Sequence, residues 1–309
     1  MAQIDISQVA FAGFGLVRRK PMAVVGWALF LFVVGVLPVL AFVGPMANAY
    51  SEFFRMAAAN PDPDPEKMME MMGPMYGAQP ILWLTGLITR VVLTGAIFRA
   101  ILEPSASGWA YLRLGMGEVM MAVVVIVLGI LVCVGMGVGG VLIFVLCLAI
   151  WQASHAVAVG VGILLGLALL LALIWVLLRF SLAAPMSFAD KNFRLFESWR
   201  VTKGNSLRLL LVALILWAIL MVAEMLLFGV FFAVAAPMVG MSHAAGALSQ
   251  ASIEAFFNQP VQAWLPQAMP WIAGVGLVGS FIGAAVMAVF TAPWAEAYRQ
   301  LRKAPEAVL

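Results

Sequence analysis

Long apolar runs separated by short polar segments are the dominant pattern of this chain. A helix that crosses the ~30 Å hydrocarbon core of a bilayer needs about 20 mostly apolar residues. Runs of sufficient length predict six spanning helices, at residues 22–43, 81–102, 119–149, 157–183, 207–234 and 271–291. The predicted fold class is therefore all-α, a polytopic membrane protein whose residues 1–309 form one integral membrane domain.

The longest uncharged stretch predicts a helical hairpin. No Asp, Glu, Lys or Arg occurs between Val119 and Leu178. A helix of that length would extend about 90 Å at 1.5 Å per residue, which is far more than one crossing requires. The polar segment from Trp151 to His155 is the preferred turn. The glycine-rich residues 135–140 are the alternative.

Three short segments are predicted to be amphipathic elbow helices that lie in the headgroup plane, at residues 7–20, 105–117 and 185–203. We expect Ser7 to cap the first of them. In the third, helical spacing gathers apolar and charged side chains on opposite sides. The apolar side holds Phe188, Leu195, Phe196 and Trp199, and the charged side holds Asp190, Lys191, Arg194, Glu197 and Arg200.

The elbows belong to a larger recurring pattern. Each is followed by a helix breaker, two spans with an outer connection, and a stop made of small residues and proline. The breakers are Pro21, Gly115 and Gly204, and the stops are Pro104, Pro185 and Pro293. This pattern predicts a threefold internal repeat with units 1–104, 105–185 and 186–309. Alternatively, any helical membrane protein that ends its spans with proline and basic residues would look the same.

Composition excludes an ordinary soluble domain. The chain is 65% hydrophobic and 10% charged with a mean hydropathy of +1.08, whereas soluble domains are about 25% charged. Cys133 and Cys147 both lie in apolar sequence, where free cysteines behave as small hydrophobic side chains. The net charge of +3 is modest but unevenly placed. It therefore indicates membrane topology rather than nucleic-acid binding.

The basic residues predict the orientation of the chain. Of the 17 basic residues, fourteen fall on the termini or on connections from even to odd spans. The opposite loops carry only Arg55 and Lys67. The positive-inside rule therefore places both termini in the cytoplasm. The apolar run after Lys20 is longer than the 7–15 apolar residues typical of a signal peptide, so we expect an uncleaved first span.

One segment resembles a known family. LRFSLAAP at residues 178–185, a short charged helix, SWRVTKGN at residues 198–205 and a new span follow one another. This order is similar to the membrane domain fused to some glycerophosphoryl diester phosphodiesterases, which also occurs alone in uncharacterised bacterial inner-membrane proteins. The resemblance covers about 30 residues. Its matching positions are residues 179–185, Ser198, Trp199, Thr202, Gly204 and Asn205.

The resemblance implies a membrane domain without enzymatic activity. No phosphodiesterase catalytic domain lies within the 309 residues, and two histidines with 14 scattered acids provide no carboxylate cluster for a divalent metal. We therefore predict no catalytic residue, no metal site and no cofactor. The implied location is the bacterial inner membrane.

The third elbow carries the first candidate site. Its lipid-interface residues are Lys191, Arg194, Trp199, Arg200 and Lys203. Basic side chains near anionic lipid contribute about 1 kcal/mol each to membrane binding, and tryptophan favours the interface. The alternative interpretation is a purely structural elbow that positions the fifth span.

Arg90 and Glu224 form the second candidate site, because they are the ionisable residues placed well inside spans. Intramembrane charges usually face the bundle interior and pair with one another. Thr85, Thr89 and Thr94 lie near Arg90 and suggest a polar interior stripe. An Arg90–Glu224 pair could line a polar pathway, or it could simply lock two helices together.

The leading function is a non-enzymatic scaffold or adaptor that engages lipid headgroups or a partner protein. The alternative is a transporter or channel for a small or lipid-like substrate, with its path near Arg90 and Glu224. The expected partners are membrane lipids, with a membrane-protein partner or a second copy of the chain as further candidates, and no nucleic acid. Glycine pairs at 135/139, 162/166 and 279/283 permit close helix approach, either within one chain or between copies.

Overall fold

The computed structural model describes residues 3–59, 66, 69–70, 72–105, 108–238 and 260–302. Within these ranges the chain is helical and contains no strand. The helices are α1 (Ile6–Ala10), α2 (Ala12–Arg19), α3 (Pro21–Phe30), α4 (Leu37–Ala59), α5 (Gly73–Leu102), α6 (Met116–Trp151), α7 (His155–Phe180), α8 (Ala183–Asp190), α9 (Leu195–Val201), α10 (Ser206–Met238) and α11 (Val261–Arg302). A π-helical segment, Leu31–Val36, joins α3 to α4.

Six helical segments of the described chain are long and apolar enough to cross a membrane, which confirms the predicted fold class. They are Pro21–Phe53, Tyr76–Leu102, Trp109–Trp151, His155–Asp190, Ser206–Gly229 and Val261–Arg302. The predicted hairpin turn is also confirmed, because α6 ends at Trp151 and α7 begins at His155. The Ser154 hydroxyl accepts a hydrogen bond from the Val157 N–H at 3.4 Å and caps α7.

Two predicted span ends are wrong. The first span is predicted to end at residue 43, but α4 continues through Pro45 to Ala59. The last span is predicted to end at residue 291, before the stop at Pro293, but α11 continues to Arg302. A proline removes one backbone hydrogen bond, and long membrane helices tolerate this loss because neighbouring residues and local adjustments absorb it.

The π-helical segment follows from Pro38. The Leu37 N–H donates to the carbonyl of Phe32, five residues earlier. Pro38 has no N–H, so it cannot bond the carbonyl of Val34 four residues before it. The backbone hydrogen bonds of this segment therefore join residues five apart instead of four, and the α-helical pattern resumes in α4.

The first predicted elbow is a pair of short helices. It breaks at Phe11, between α1 and α2. Asp5 rather than Ser7 is the cap, because the Asp5 carboxylate accepts the Gln8 N–H at 3.1 Å. This hydrogen bond and a second one from the Ser7 hydroxyl hold the pKa of Asp5 below its ordinary value. The prediction of Ser7 as the cap is wrong, because Ser7 itself lies in the first turn.

The second predicted elbow is not an α-helix. Among its described residues, Trp109–Tyr111 form a 3₁₀ turn, residues 112–115 are irregular, and α6 begins at Met116. Ala110 and Tyr111 have φ angles of 52° and 60°. Helical spacing of Trp109, Leu112 and Met116 suggested a helix, but these left-handed backbone angles reverse the chain before one can form.

The described chain divides into two compact units, each made from separate stretches. Unit 1 comprises Met1–Leu16, Thr94–Leu216 and Ala288–Leu309, and unit 2 comprises Val17–Leu93 and Trp217–Met287. The threefold repeat remains a prediction. The main core cluster of unit 1 joins the N-terminal segment to α7, α8, α10 and α11. It contains Ile4, Val9, Leu178, Leu182, Met186, Leu209, Val212, Leu216, Ala297 and Tyr298.

Glycine spacing brings α6 and α7 together inside unit 1. A Cβ built on Gly139 would lie 2.8 Å from Cδ1 of Leu169, and one on Gly135 would lie 3.7 Å from Cδ2 of Leu173. The 135/139 pair therefore supports close packing within one chain. In unit 2, a Cβ on Gly276 of α11 would lie 2.7 Å from Cγ1 of Val36, so α11 packs closely against the π-helical segment.

Candidate functional site

The third predicted elbow is two short helices rather than one. Lys191 has a φ angle of 51°, which ends α8, and α9 begins four residues later. The Ser187 hydroxyl accepts the Arg194 N–H at 3.0 Å and closes the turn between the helices. The turn divides the side chains that are predicted to share one apolar face. Phe188, before the turn, is 2% exposed, whereas Phe196, after it, is 68% exposed. We call residues 183–205 the connector.

Two hydroxyl groups of α9 tie the connector to the end of α7. The Ser198 hydroxyl donates to the carbonyl oxygen of Arg179 at 2.9 Å. The Thr202 hydroxyl lies 3.2 Å from the same oxygen, and its nearest acceptor is the Ser198 carbonyl oxygen at 2.8 Å. The carbonyls in the last turn of a helix have no helical N–H partner. Ser198 and Thr202 are four residues apart and share one helix face, so both can reach this carbonyl.

The Arg179 side chain lies against two tryptophans. Its Cζ is 5.3 Å from the ring centroid of Trp175 and 5.4 Å from that of Trp199. The two indole rings are 4.9 Å apart at an interplanar angle of 88°. Phe180 packs against Trp199 at 5.4 Å and broadens the aromatic surface. We call Arg179, Trp175 and Trp199 the Arg179 clamp.

The clamp leaves hydrogen-bond donors of Arg179 without acceptors. Nε and Nη1 are enclosed and have no hydrogen-bond partner in the described part of the chain. Each cation–π contact contributes about 0.5–2 kcal/mol, which offsets part of the desolvation of this half-buried charge. An enclosed donor without an acceptor costs about 1–3 kcal/mol. The tryptophans therefore stabilise the charge but leave the N–H groups unsatisfied.

The predicted cations of the connector divide into two kinds. Lys191, Arg200 and Lys203 are exposed, and none forms an ion pair with the residues that the structure describes. Arg194 instead pairs with Asp190 at 3.0 Å and lies 3.9 Å from a carboxylate oxygen of Glu197. Arg194 is therefore the weakest candidate for binding an external anion.

The end of the connector also holds the N-terminal segment. Gly204 has a φ angle of 85°, which favours glycine, and it follows the end of α9. The Asn205 side-chain oxygen accepts the Ile4 N–H at 3.4 Å. Arg208 donates to the carbonyl oxygen of Ile4 at 2.9 Å. The Ser-Trp-x-x-Thr-x-Gly-Asn element thus has a structural role at each named position.

The predicted interior pair of Arg90 and Glu224 is not found. Both side chains are exposed, and no ion pair joins them in the described chain. The apolar pattern of the sequence places Arg90 and Glu224 within spans. It does not show which face of each helix packs against a neighbouring helix. The neighbouring Thr89 is buried, and its hydroxyl has no hydrogen-bond partner in this part of the structure. Thr85, in contrast, donates to the carbonyl of Ile81 at 3.0 Å.

Sequence reasoning missed a buried ion pair between Arg99 and Glu118. Arg99 also donates to the Tyr111 carbonyl at 2.6 Å, and Glu118 accepts the Gly115 N–H at 3.0 Å. The Arg99 Cζ is 5.5 Å from the ring centroid of Phe188. The acidic residue three positions after Gly115 is a helix-start signal, but its pairing with Arg99 depends on tertiary packing.

Together these features define a multi-pass helical membrane protein. The outward side chains of its α6–α7 hairpin are large and apolar, as expected of a surface that meets lipid acyl chains; examples are Leu142, Phe144 and Leu164. Comparisons with known protein families, with curated proteins and with solved structures find no match. The phosphodiesterase membrane-domain resemblance therefore remains a prediction.

Proposed function

We propose that this chain is a non-enzymatic scaffold of the bacterial inner membrane whose connector binds anionic lipid headgroups. Both termini and the connector are on the cytoplasmic side in this proposal. The observation that carries it is the exposure of Lys191, Arg200 and Lys203 without ion pairs among the described residues. A partner protein that docks on the same face is compatible with the scaffold role.

The physical chemistry of the membrane surface supports this assignment. Three basic groups at about 1 kcal/mol each give roughly a hundredfold preference for an anionic over a neutral surface. The exposed Phe196 and the half-buried Trp199 are the side-chain types that favour headgroup depth. The attraction is long-range and is screened by salt, with a Debye length of about 8 Å at physiological ionic strength.

The transporter alternative has less support. It depended on a polar path lined by Arg90 and Glu224. Both side chains are exposed, and they do not pair in the described chain. No observation on unit 2 favours transport over a packed helical unit, so the scaffold is the preferred function.

The test is a triple substitution, Lys191→Gln, Arg200→Gln and Lys203→Gln, in the full chain. The purified protein is reconstituted in nanodiscs that contain phosphatidylglycerol and phosphatidylcholine, and the lipids that remain after gentle detergent extraction are counted by mass spectrometry. We expect the enrichment of phosphatidylglycerol to fall roughly a hundredfold at low salt, since all three groups at about 1 kcal/mol each are removed. The difference between wild type and variant should shrink at about 0.5 M salt, because screening removes the attraction in both.

A matched control removes three other exposed charges, by Arg18→Gln, Arg19→Gln and Arg113→Gln. This control loses the same net charge from the same predicted side of the membrane but leaves the connector intact. Accessibility of single cysteines at the termini verifies that topology is unchanged in both proteins. Equal enrichment in wild type and the connector variant, or an equal loss in the control, would refute the proposed role of the connector.

A further inference from the structure

We propose that the Arg179 clamp binds one phosphate group, carried by a phospholipid headgroup or by a free phosphate ester. This inference rests on the proposed function for the source of the ligand at the membrane surface, but it uses different residues. The long-range attraction belongs to Lys191, Arg200 and Lys203. The direct contact with the phosphate is made by Arg179, which is not one of those three residues.

The first argument concerns the missing acceptors. Nε and Nη1 of Arg179 are enclosed without a partner, and Arg179 has no ion pair with an acid of the described chain. The nearby hydroxyls of Ser198 and Thr202 do not meet this need, because neither accepts a hydrogen bond from Nε or Nη1 of the guanidinium. The guanidinium therefore lacks an acceptor oxygen for these two nitrogens among the residues that the structure describes.

The second argument concerns the geometry of the guanidinium. Nη2 is not among its enclosed nitrogens. This nitrogen belongs to both hydrogen-bonding edges of the group, one shared with Nε and one with Nη1. An oxyanion can therefore reach the guanidinium at Nη2, and a rotation of the side chain that opens Nε or Nη1 would complete a two-pronged contact. Arginine binds phosphate oxygens in this two-pronged way, whereas lysine acts as a point charge.

The third argument concerns position. The clamp is formed where α7 ends and the connector begins, and its rings belong to the residue type that marks headgroup depth. Trp175 and Trp199 pack against the same side of the guanidinium, because their ring centroids lie 5.3 and 5.4 Å from Cζ and 4.9 Å from each other. Phosphate is the oxyanion that a phospholipid surface presents at that depth.

The experiment measures the thermal stability of the detergent-solubilised full chain against added ligand. The probes are dioctanoyl phosphatidylglycerol, dioctanoylglycerol without phosphate, and inorganic phosphate. Ligand that binds the folded state raises the melting temperature in proportion to the logarithm of its concentration above Kd. We expect phosphatidylglycerol to stabilise the wild type at about 0.5 M salt, where screening suppresses distant charges. Dioctanoylglycerol should have no such effect.

Variants then test the residue. Arg179→Gln should weaken phosphatidylglycerol binding at least tenfold, and Arg179→Lys, which keeps the charge but loses the fork, should weaken it by a smaller factor. If Arg179→Gln does not fold, Arg179→Lys and Trp199→Phe provide the measurement. Equal stabilisation by dioctanoylglycerol, or unchanged affinity in every clamp variant that folds, would overturn the inference. Full stabilisation by inorganic phosphate would support the site and identify a free phosphate ester as its ligand.

The connector triple variant separates this inference from the proposed function. It should keep the high-salt stabilisation by phosphatidylglycerol, because Arg179 is intact. Loss of binding in Arg179→Gln with normal lipid enrichment in the triple variant supports the clamp and refutes the proposed connector role. The reverse pattern refutes the clamp alone.

Discussion

Arg99 donates a hydrogen bond to Glu118, and the two form an ion pair that joins the end of α5 to the start of α6. The side chains are 8% and 1% exposed, respectively. The arginine also holds the Tyr111 carbonyl, and the glutamate also holds the Gly115 N–H. One pair therefore organises both helix ends and the irregular segment between them.

Breaking this pair from one side should be strongly destabilising. Glu118→Gln leaves the Arg99 charge buried without a counter-charge. Arg99→Gln leaves the Glu118 charge buried in the same way. Removal of one partner of a buried pair typically costs about 3–5 kcal/mol. The double variant Arg99→Met/Glu118→Gln should lose much less than the sum of the single losses. Unfolding midpoints in detergent, compared as a double-mutant cycle, provide the measurement.

Two further variants sharpen this result. The reversed pair Arg99→Glu/Glu118→Arg should not restore stability, because the Tyr111 carbonyl would lose its donor and the Gly115 N–H its acceptor. Arg113→Gln, which removes an exposed arginine from the same connection, should change the midpoint little. Strictly additive losses in the cycle would show that the two side chains are not energetically coupled.

Gly95 should be intolerant of a side chain for the same structural reason. A Cβ at Gly95 would lie 2.5 Å from Cγ of Glu118 and 2.7 Å from its Oε1. Gly95→Ala would force Glu118 away from Arg99, and such overpacking costs about 1–3 kcal/mol. Gly86 on the same helix has nothing within 4 Å of its Cβ position, so Gly86→Ala is the matched control.

The two alanine variants should move the unfolding midpoint in different directions. Gly86→Ala should be neutral or stabilising by up to about 1 kcal/mol, because alanine is the better helix former. Gly95→Ala should be destabilising despite the same gain in helix propensity. If both variants behave alike, helix propensity rather than contact with Glu118 governs Gly95.

The sequence predicted the spans better than the segments between them. Hydropathy located six crossings and the turn at Trp151–His155, because the bilayer sets the length of an apolar helix. Proline was a poor guide to helix ends, as Pro45 and Pro293 show. The free-energy cost of one proline is small compared with the contribution of all the backbone hydrogen bonds that a long helix keeps in lipid.

The candidate site was predictable only in part. Trp175 and Arg179 are four residues apart on α7, so their contact is a local feature that helical spacing could have revealed. Trp199 joins them only after the chain turns at Lys191, whose left-handed φ angle no propensity predicts for a lysine. The sequence therefore located the connector but not the clamp within it.

The hydroxyls of Ser198 and Thr202 should together stabilise the end of α7. Ser198→Ala removes a hydrogen bond to the Arg179 carbonyl, with an expected loss of about 1 kcal/mol. Thr202→Val removes the hydroxyl that bonds the Ser198 carbonyl at 2.8 Å and lies 3.2 Å from the Arg179 carbonyl, with a similar expected loss. The double variant leaves this carbonyl without either donor and should exceed the sum. Ser181→Ala is a control, because the Ser181 hydroxyl bonds the Leu178 carbonyl instead. Chemical unfolding in detergent measures all four proteins. A double loss below the sum would mean that removal of either hydroxyl already breaks the contact, so that both are needed together.

The N-terminal helix α2 should detach when Gly13 gains a side chain. A Cβ on Gly13 would lie 2.3 Å from Cα of Val289 and 2.7 Å from the carbonyl oxygen of Ala288, so it would strike the backbone of α11. A backbone cannot rotate away as a side chain does, and Gly13→Ala must therefore displace α2. Gly15, two residues later, has nothing within 4 Å of its Cβ position. Hydrogen exchange over residues 3–19 should rise at least tenfold in Gly13→Ala and remain unchanged in Gly15→Ala; unchanged protection in Gly13→Ala would show that α2 does not depend on this contact.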